Sequence, residues 1–347
     1  MKIAGIKAAV PSRTVTNRHI EDMVCEHSPE LDERALRDAL RRIGFFLTYS
    51  GSKARRWLAD GETPFGLLSQ AVGEAIADAQ LRRAEIDLIV YTGVDRGFLE
   101  PAMAYLIGAS LGMPQAHCFD IVDACMSWTR AAFIVSSLLS SGAYRNALIV
   151  NCEFNMRADG RVNPRCFRLE QVDAVEWNLA AYTLGEAASA TVLVRDDAQP
   201  WEFHFGSEAQ YSDLCSVPLD AWTAYCEPQP RLGCNGPNHF HSFASEMFRV
   251  GKPHAIEVFN RLSVPHESLK AIFPHAASMQ AWWEMGTKLG VQDKIQFIYP
   301  DLGNIVSASV PVALARARDT GTVREGDRIA GWVGSAGMSF ASFASQL

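Results

Sequence analysis

The stretch CFDIVDACMSWTRAAFIVSSLLSSGAYRNALIVNCE, residues 118–153, decides the fold that we expect for this chain. It begins with an apolar, β-branched run that ends in a small polar step at Cys125. A long apolar segment rich in Ala and Ser follows, and Gly142 stands where a helix C-cap would lie. A second β-like run covers residues 147–150. The order of strand, sharp turn, buried helix and strand places Cys125 at the turn.

A thiol at this turn would face the first free N–H groups of the following helix. Their partial positive charge favours the thiolate, which is the nucleophilic form of cysteine. A single cysteine in such a place is also typical of an ordinary small core residue. Both interpretations of Cys125 stay open until the rest of the chain is considered.

Length and composition narrow the class of protein. A chain of 347 residues, 48% of them hydrophobic, can form one large domain or two closely packed halves. A net charge of -7 without a long basic run argues against nucleic acid as a partner. The eight cysteines lack the spacing of a disulfide framework, which indicates reduced thiols and a cytoplasmic protein.

Targeting, membrane and metal signals are weak. The N-terminal sequence MKIAGIKAAVPSRT is typical of a first strand and not of a signal peptide. No apolar run approaches the roughly 20 residues that a membrane helix needs. Residues 215–241 contain three cysteines and two histidines, but no close cysteine pair, so we expect no metal site.

Basic residues are concentrated near the N-terminus. Residues 31–42 follow a helical pattern and contain four arginines. Lys53, Arg55 and Trp57 come next along the chain. This region is either a solvated basic face or a binding site for a phosphorylated carrier, with an aromatic ring available for stacking.

Glu100 lies in a loop after a buried strand at residues 86–93. Pro101 is predicted at the first position of a helix that extends to residue 111. Glu100 is then the N-cap of that helix or an acid in the loop beside it. On this pattern alone it is either a solvated carboxylate near a helix N-terminus or a functional acid.

The second half repeats the order of the first. A short strand ends in His275, a further strand is predicted at residues 295–299, and Asn304 precedes a helix from residue 305 to about 319. Residues 196–200 are predicted to form a hinge. We therefore expect halves at 1–196 and 197–347, a duplicated α/β fold with chemistry where strand ends converge.

Four motifs together resemble the β-ketoacyl-acyl-carrier-protein synthase III branch of the thiolase superfamily. They are DACMSW at 123–128, FPHAASMQ at 273–280, GNIVSASVPVAL at 303–314 and VGSAGMSFAS at 333–342. The resemblance covers nearly the whole chain, and the order and spacing of the motifs agree. It implies a thiolase-like fold of five αβαβα layers, with the nucleophile in the first half and the His and Asn in the second.

The resemblance also implies the chemistry. Cys125 would take an acyl group from a coenzyme A or phosphopantetheine thioester, with no metal and no other cofactor. The oxyanion would lie against the N–H of Cys125 and that of Ala336, in a closing loop that includes Gly337. His275 and Asn304 would polarise the carbonyl of a second thioester and stabilise its enolate.

Two departures from the family pattern modify these expectations. Gln280 stands where simple fatty-acid initiators have an arginine, which weakens the prediction of carrier-protein docking there. Glu100 stands where those enzymes have an aromatic residue. It resembles the base of the branch that joins two acyl chains head to head, where it reaches the neighbouring subunit's site, as Phe98 would.

The fold is expected to form a homodimer through the strand after Gly142. The leading interpretation is a condensing enzyme that makes a β-ketoacyl product in specialised lipid or polyketide biosynthesis. A second is the same acyl-cysteine chemistry with an amine or hydroxyl acceptor. A third is a catalytically silent subunit of a synthase, which an intact Cys, His and Asn set argues against.

Overall fold

Two main β-sheets organise the chain, whose computed structural model describes residues 1–158, 160–196 and 200–347. In this described part the strands are β1 Lys2–Ala9, β2 Arg13–Thr16, β3 Ala54–Trp57, β4 Leu88–Thr92, β5 His117–Ile121, β6 Asn146–Glu153, β7 Ala187–Val194, β8 Glu202–Ser207, β9 Cys215–Ser216, β10 His241–Ser242, β11 Ala271–Pro274, β12 Arg328–Ser335 and β13 Ser339–Gln346. The α-helices are α1 Asn17–His27, α2 Glu33–Ser50, α3 Pro64–Asp78, α4 Met103–Ser110, α5 Ser127–Ser140, α6 Ala244–Asn260, α7 Met279–Leu289, α8 Tyr299–Leu302 and α9 Ser309–Asp319.

The first sheet has five strands in the order β1-β7-β6-β4-β5. Strands β5, β4 and β6 run parallel, and β6, β7 and β1 alternate in direction. Strand β6 is therefore internal and has both neighbours in place. Our prediction that the strand after Gly142 pairs across a dimer axis is wrong, because its backbone groups are already used. The edge strand next to the nucleophile is β5.

The second sheet has four strands in the order β11-β12-β13-β8. Strand β11 is parallel to β12, whereas β12, β13 and β8 are antiparallel. The carboxyl end of β11 leads directly to His275, and that of β5 leads to the turn with Cys125. Two short pairs, β2 with β3 and β9 with β10, lie outside the main sheets.

Five layers follow from the way in which the apolar faces pair. Helices α5 and α9 share one core with both sheets and form the central layer. Helices α3 and α4 cover the outer face of the first sheet, and α6 and α7 cover that of the second. The middle helices are rich in small residues because they are buried on both sides. The predicted αβαβα architecture is the one observed.

The turn and helix predicted around Cys125 are confirmed in detail. Strand β5 ends at Ile121, a single 3-10 turn holds Cys125, and α5 follows at once. Gly142 has a φ of +76° directly after the helix, a left-handed conformation that glycine adopts without steric cost.

A close backbone contact between the two halves holds Asn304. Asn304 donates its N–H to the carbonyl of Thr183 at 2.8 Å, and its own carbonyl accepts from Gly185 at 2.9 Å. A Cβ at Gly185 would meet the carbonyl oxygen of Leu302 at 1.9 Å, so only glycine fits there. We name this contact, residues 183–185 against 302–304, the half-to-half crossing.

Two elements differ from the prediction. The strand predicted at residues 295–299 is reduced to one bridge, between Ile295 and Ile272. Pro300 in the first turn of α8 favours a helical start at that point and ends the extended backbone. Helix α4 begins at Met103, two residues beyond Pro101, because the carboxylate of Asp120 accepts from the N–H groups of Met103 and Ala104.

The proposed division into residues 1–196 and 197–347 keeps one main sheet in each half. The hinge predicted at 196–200 lies largely outside the described residues, since 197–199 are not among them. In the described part of the chain, no helix is both long and apolar enough to cross a membrane.

Candidate active site

One cavity of about 330 Å³ is lined by the three side chains that were predicted to lie at the ends of separate strands. Cys125, His275 and Asn304 all line it, and so does Ala336. The rest of its wall is mainly apolar, with side chains from α6, α7 and the segment that covers the site. A cavity of this size and lining is typical of a site for a small organic substrate.

Cys125 lies in the 3-10 turn directly before α5. Burial raises its pKa well above the usual value for a thiol, and the nearby Cys215 and Glu153 raise it further. Contacts with Ser335 and with the N–H of Cys125 itself act in the opposite direction. Burial thus acts against the thiolate, in the direction opposite to the one expected from the helix N-terminus. Cys125 therefore needs a base during attack.

Ser335 links the nucleophile turn to the closing loop. Its hydroxyl donates to the carbonyl of Asp123 at 3.3 Å and accepts from the N–H of Met126 at 3.3 Å. These bonds fix the turn on both sides of Cys125. Ser335 was not among the predicted site residues, although it lies in the VGSAGMSFAS motif.

A hydrogen-bond chain defines the tautomer of His275. The hydroxyl of Ser309 donates to the carbonyl of Val306 at 2.7 Å. Nδ1 of His275 lies 3.2 Å from the same oxygen. Since the only hydroxyl proton of Ser309 is directed at Val306, Nδ1 must be the protonated nitrogen and donate to Ser309. Nε2 is then unprotonated and can accept a proton.

Burial lowers the pKa of His275 to about 4, so the neutral ring is the resting form at physiological pH. A neutral imidazole with an unprotonated Nε2 can accept a proton, and His275 lines the same cavity as Cys125.

The lowered pKa of His275 predicts a loss of stability in acid. The usual pKa is 6.5, and the folded value is about 4. Between these values the unfolded chain binds the extra proton, so stability falls as the pH drops from 6.5 toward 4. We expect wild type to lose about 2 kcal/mol between pH 7.5 and pH 5 from this group. A His275→Gln variant should not show that loss.

The measurement is the unfolding free energy of both proteins by denaturant titration at the two pH values. The other buried ionisable groups are present in both proteins, and their contributions cancel in the difference. An equal pH dependence in wild type and His275→Gln would show that His275 remains accessible to protons.

The amide of Asn304 is held by the turn that carries it. Its Oδ1 accepts from the N–H of Val306 at 2.9 Å, which directs the amide oxygen away from substrate. Val306 has a φ of +49°, in the left-handed region that non-glycine residues rarely adopt. Because the oxygen is occupied, Nδ2 is the atom available to donate into the cavity.

Ala336 lines the cavity in the loop between β12 and β13, as the proposed oxyanion role requires. Gly337 is exposed and does not line it. Its φ of +122° favours glycine, so its part in the loop is conformational.

Phe98 and Glu100 lie in the loop before α4. Both side chains are exposed, and neither lines the cavity of its own chain. Glu100 is the loop acid and not the helix cap, since Asp120 takes that position. The side chain of Val122 is 62% exposed and, unlike those two, lines the cavity. The surface beside β5 is therefore continuous with the site.

The predicted substrate contacts of Lys53, Arg55 and Trp57 need correction. Arg55 is fully buried and donates to Asn17 and Ser52, each at 3.0 Å. Trp57 is also buried, and its Nε1 donates to the carbonyl of Leu184 at 2.9 Å. Lys53 is exposed but lies outside the cavity wall. These three residues belong to the packing and surface around the short β2–β3 pair.

A basic, aromatic entrance lies instead on α2 and α6. A second cavity shares four wall residues with the first, namely Phe46, Phe248, Lys252 and Ala281. Its rim includes Arg41, Arg42 and Arg249. The exposed rings of Phe45 and Tyr49 stack there with centroids 6.0 Å apart. The predicted helix therefore contributes Arg41 and Arg42 to the entrance. Phe45 and Tyr49 lie further along the same helix.

Comparison with known proteins agrees with this fold. Residues 259–347 match the family described as 3-oxoacyl-[acyl-carrier-protein (ACP)] synthase III, C terminal. The β-ketoacyl-[acyl-carrier-protein] synthase III of Symbiobacterium thermophilum is 26% identical over 336 residues, 94% of this chain and 92% of that protein. The acyl-CoA:acyl-CoA alkyltransferase of Xanthomonas campestris is 26% identical over 343 residues, 95% and 94% of the two chains.

Solved structures show the same fold. Xanthomonas campestris OleA with bound lauric acid and lauroyl-CoA superposes with a TM-score of 0.82 at 22% identity, over 99% of this chain and 98% of that one. The 3-oxoacyl-[acyl-carrier-protein] synthase III of Aquifex aeolicus gives 0.80 at 22% identity, over 100% and 99%.

The class is therefore that of thiolase-fold proteins, as predicted. The predicted resemblance to β-ketoacyl-acyl-carrier-protein synthase III-like condensing enzymes is also confirmed. The relatives include an alkyltransferase that is named for two acyl-CoA molecules.

Proposed function

We propose that this chain is an acyl-thioester condensing enzyme that loads an acyl group on Cys125 and joins it to a second acyl thioester. The observation that carries the proposal is the meeting of Cys125, His275 and Asn304 in one mainly apolar cavity. The product is a β-ketoacyl thioester for specialised lipid or polyketide biosynthesis, and the enzyme is an acyltransferase of the 2.3.1 class.

In the loading step, Nε2 of His275 removes the thiol proton as Sγ of Cys125 attacks the thioester carbonyl. The oxyanion is stabilised by backbone N–H groups of Cys125 and Ala336. The carbon–sulfur bond to the donor breaks, and the departing thiolate takes the proton from His275. The acyl group remains on Cys125 as a thioester, which keeps it reactive.

In the condensing step, Nδ2 of Asn304 donates to the carbonyl oxygen of the second thioester. A base removes its α-proton, and the enolate carbon attacks the acyl group on Cys125. Sγ leaves and regains a proton. Because His275 starts with Nε2 unprotonated, Asn304 is the resting donor, and His275 donates only after it has accepted a proton.

The entrance on α2 and α6 supports a coenzyme A thioester as donor. Arg41, Arg42 and Arg249 supply positive charge for phosphates, and the exposed ring of Phe45 is available for stacking on a base. The second cavity adjoins the catalytic one, since the two share four wall residues. The phosphopantetheine arm of a carrier protein also presents a phosphate, but it has no nucleotide base that could stack on the ring of Phe45.

A homodimer completes the site in this proposal. Strand β5 is an edge of its sheet, and the exposed apolar side chains of Phe98, Leu99 and Val122 lie near its carboxyl end. An edge strand with such a surface favours pairing with a second copy. Since Val122 also lines the cavity, Glu100 of each copy would reach the other copy's site and act as the α-proton base.

The test is to mix the protein with acyl-CoA pairs and analyse products by mass spectrometry. A β-ketoacyl product or the ketone formed on its decarboxylation supports the proposal. Transfer of the acyl group to an added amine or alcohol, without carbon–carbon bond formation, would replace it with acyl transfer. Absence of both acyl loading and product would leave the silent-subunit interpretation.

Glu100→Gln should spare acyl loading and slow condensation of two acyl-CoA molecules by about 100-fold, because the α-proton loses its base. Loading is measured by intact-protein mass and condensation by product formation. Glu170→Gln, which changes another exposed loop acid, is the matched control and should leave both rates unchanged.

Mixing two inactive proteins then tests the position of Glu100. Glu100→Gln retains Cys125, and Cys125→Ala retains Glu100, so a mixed dimer contains one complete site. We expect condensation to return after subunit exchange. No recovery in a mixture with proven exchange would place Glu100 outside the partner's site.

A further inference from the structure

Glu153, the last residue of β6, is a fully buried carboxylate that the proposed mechanism does not use. It does not line the catalytic cavity. Its Oε1 accepts from Val94 N at 3.2 Å, Ser307 Oγ at 2.5 Å and Ser307 N at 3.4 Å. Its Oε2 accepts from Asp95 N at 3.3 Å and Asn155 Nδ2 at 3.4 Å. Five donors thus converge on one carboxylate.

The surrounding network fixes the direction of these bonds. Ser189 donates its hydroxyl to Oδ1 of Asn151 at 3.1 Å, and Nδ2 of Asn151 donates to Ser307 Oγ at 3.0 Å. The hydroxyl proton of Ser307 is therefore free to point at Glu153. All four side chains are buried. The network makes Glu153 an acceptor only, which is the behaviour of the ionised form.

The donors belong to two loops that lead to the reacting groups. Val94 lines the cavity, and its loop continues to Glu100. Ser307 lies in the turn that carries Asn304, next to the strained Val306. Glu153 is thus the point at which the loop after β4 and the Asn304 turn share one set of hydrogen bonds.

We infer that Glu153 is a positioning residue for condensation, which holds the Asn304 turn and the loop after β4 at a fixed separation. The inference rests on the proposed function, since it assigns Asn304 to the second thioester. Glu153 acts through Ser307 and the loop amides, and touches no reacting atom. The charge of Glu153 also raises the pKa of the Cys125 thiol, so Ser307→Ala, which keeps that charge, separates the positioning of the Asn304 turn from an effect on loading.

The energetic cost of this arrangement supports a specific role. Burial raises the pKa of Glu153 to about 7, although hydrogen bonds from Ser307, Val94 and Asp95 act to lower it. An apolar side chain at the end of a buried strand avoids that cost altogether. A carboxylate is useful there because one oxygen pair can accept from both loops at once.

The test compares loading with condensation in Glu153→Gln and Ser307→Ala, with Glu186→Gln as the matched control. Glu186 is equally buried, its pKa is also raised to about 7, and it accepts from Leu58 N and Met156 N instead. We expect the ratio of condensation rate to loading rate to fall about tenfold or more in Glu153→Gln and in Ser307→Ala. Glu186→Gln should keep the wild-type ratio.

Ser307→Ala removes one hydroxyl and no charge, so it serves if Glu153→Gln does not fold. A wild-type ratio in the folded variants would overturn the inference, because a merely structural residue would lower both steps together. The inference would also be overturned if Glu186→Gln changed the ratio of condensation rate to loading rate as strongly as Glu153→Gln.

Hydrogen exchange of the resting proteins separates this inference from the proposed function. We expect faster exchange of the amides at 94–95 and 303–309 in Glu153→Gln than in wild type, and no change there in Glu186→Gln. If wild type forms no product but this difference appears, the proposed function fails and the link between the loops stands. Unchanged exchange in both segments overturns the inference regardless of activity.

Discussion

Replacing Cys125 with alanine should abolish covalent acyl loading. In the proposed mechanism its Sγ is the nucleophile that takes the acyl group, and Cys125 lines the cavity. The protein is mixed with short, medium and long acyl-CoA thioesters, and its intact mass is measured. Wild type should gain the mass of the acyl group, and Cys125→Ala should show no adduct with any chain length.

Cys215→Ala is the matched control, because Cys215 also lines the cavity. Burial raises the pKa of the Cys215 thiol to about 11, while a hydrogen bond from Ser242 acts to lower it. The variant should load acyl groups at the wild-type rate. If an adduct persists in Cys125→Ala and disappears when Cys215 is also removed, the nucleophile is Cys215.

Asn304→Ala should load acyl groups normally and lose condensation by about 100-fold or more, which is the usual effect of removing one donor to a developing oxyanion. The enolate forms only in the second step, so the first should not need Nδ2. Pre-loaded protein is mixed with the second thioester, and the decay of the acyl-enzyme mass is followed together with product.

Asn304→Asp provides a second variant with nearly the same shape. Its carboxylate can still accept from the N–H of Val306, but it has no donor for the enolate and adds a like charge beside it. It should therefore be at least as slow as Asn304→Ala. An equal loss of loading and condensation in both variants would contradict an enolate role for Asn304.

Local patterns were sufficient to predict the frame of the site. A β-branched run, a small polar step and an Ala-rich segment ending at Gly142 specify the strand, turn and helix around Cys125, because each depends on near neighbours in sequence. The position of His275 directly after a strand was predicted for the same reason, whereas the strand predicted before Asn304 is reduced to one bridge. The meeting of the three in one cavity followed from the order of the motifs.

Features that depend on distant contacts could not be predicted. Arg55 and Trp57 look like surface groups in sequence, but their burial comes from packing against residues more than a hundred positions away. The chain from His275 through Ser309 to Val306, and the donors to Glu153, join segments that are far apart. One local signal was available, since an acid at the end of the apolar run NALIVNCE is unusual in a buried strand.

The half-to-half crossing has a consequence for the synthesis of this protein in the cell. Two backbone hydrogen bonds hold the turn with Asn304 against residues 183–185. The two segments are too close together for a side chain at Gly185. A growing chain that already contains Cys125 cannot form the complete site before residue 304 has left the ribosome and docked. In the proposed mechanism an incomplete chain therefore cannot condense acyl thioesters. Fragments cut between the halves should regain activity only when they reassemble.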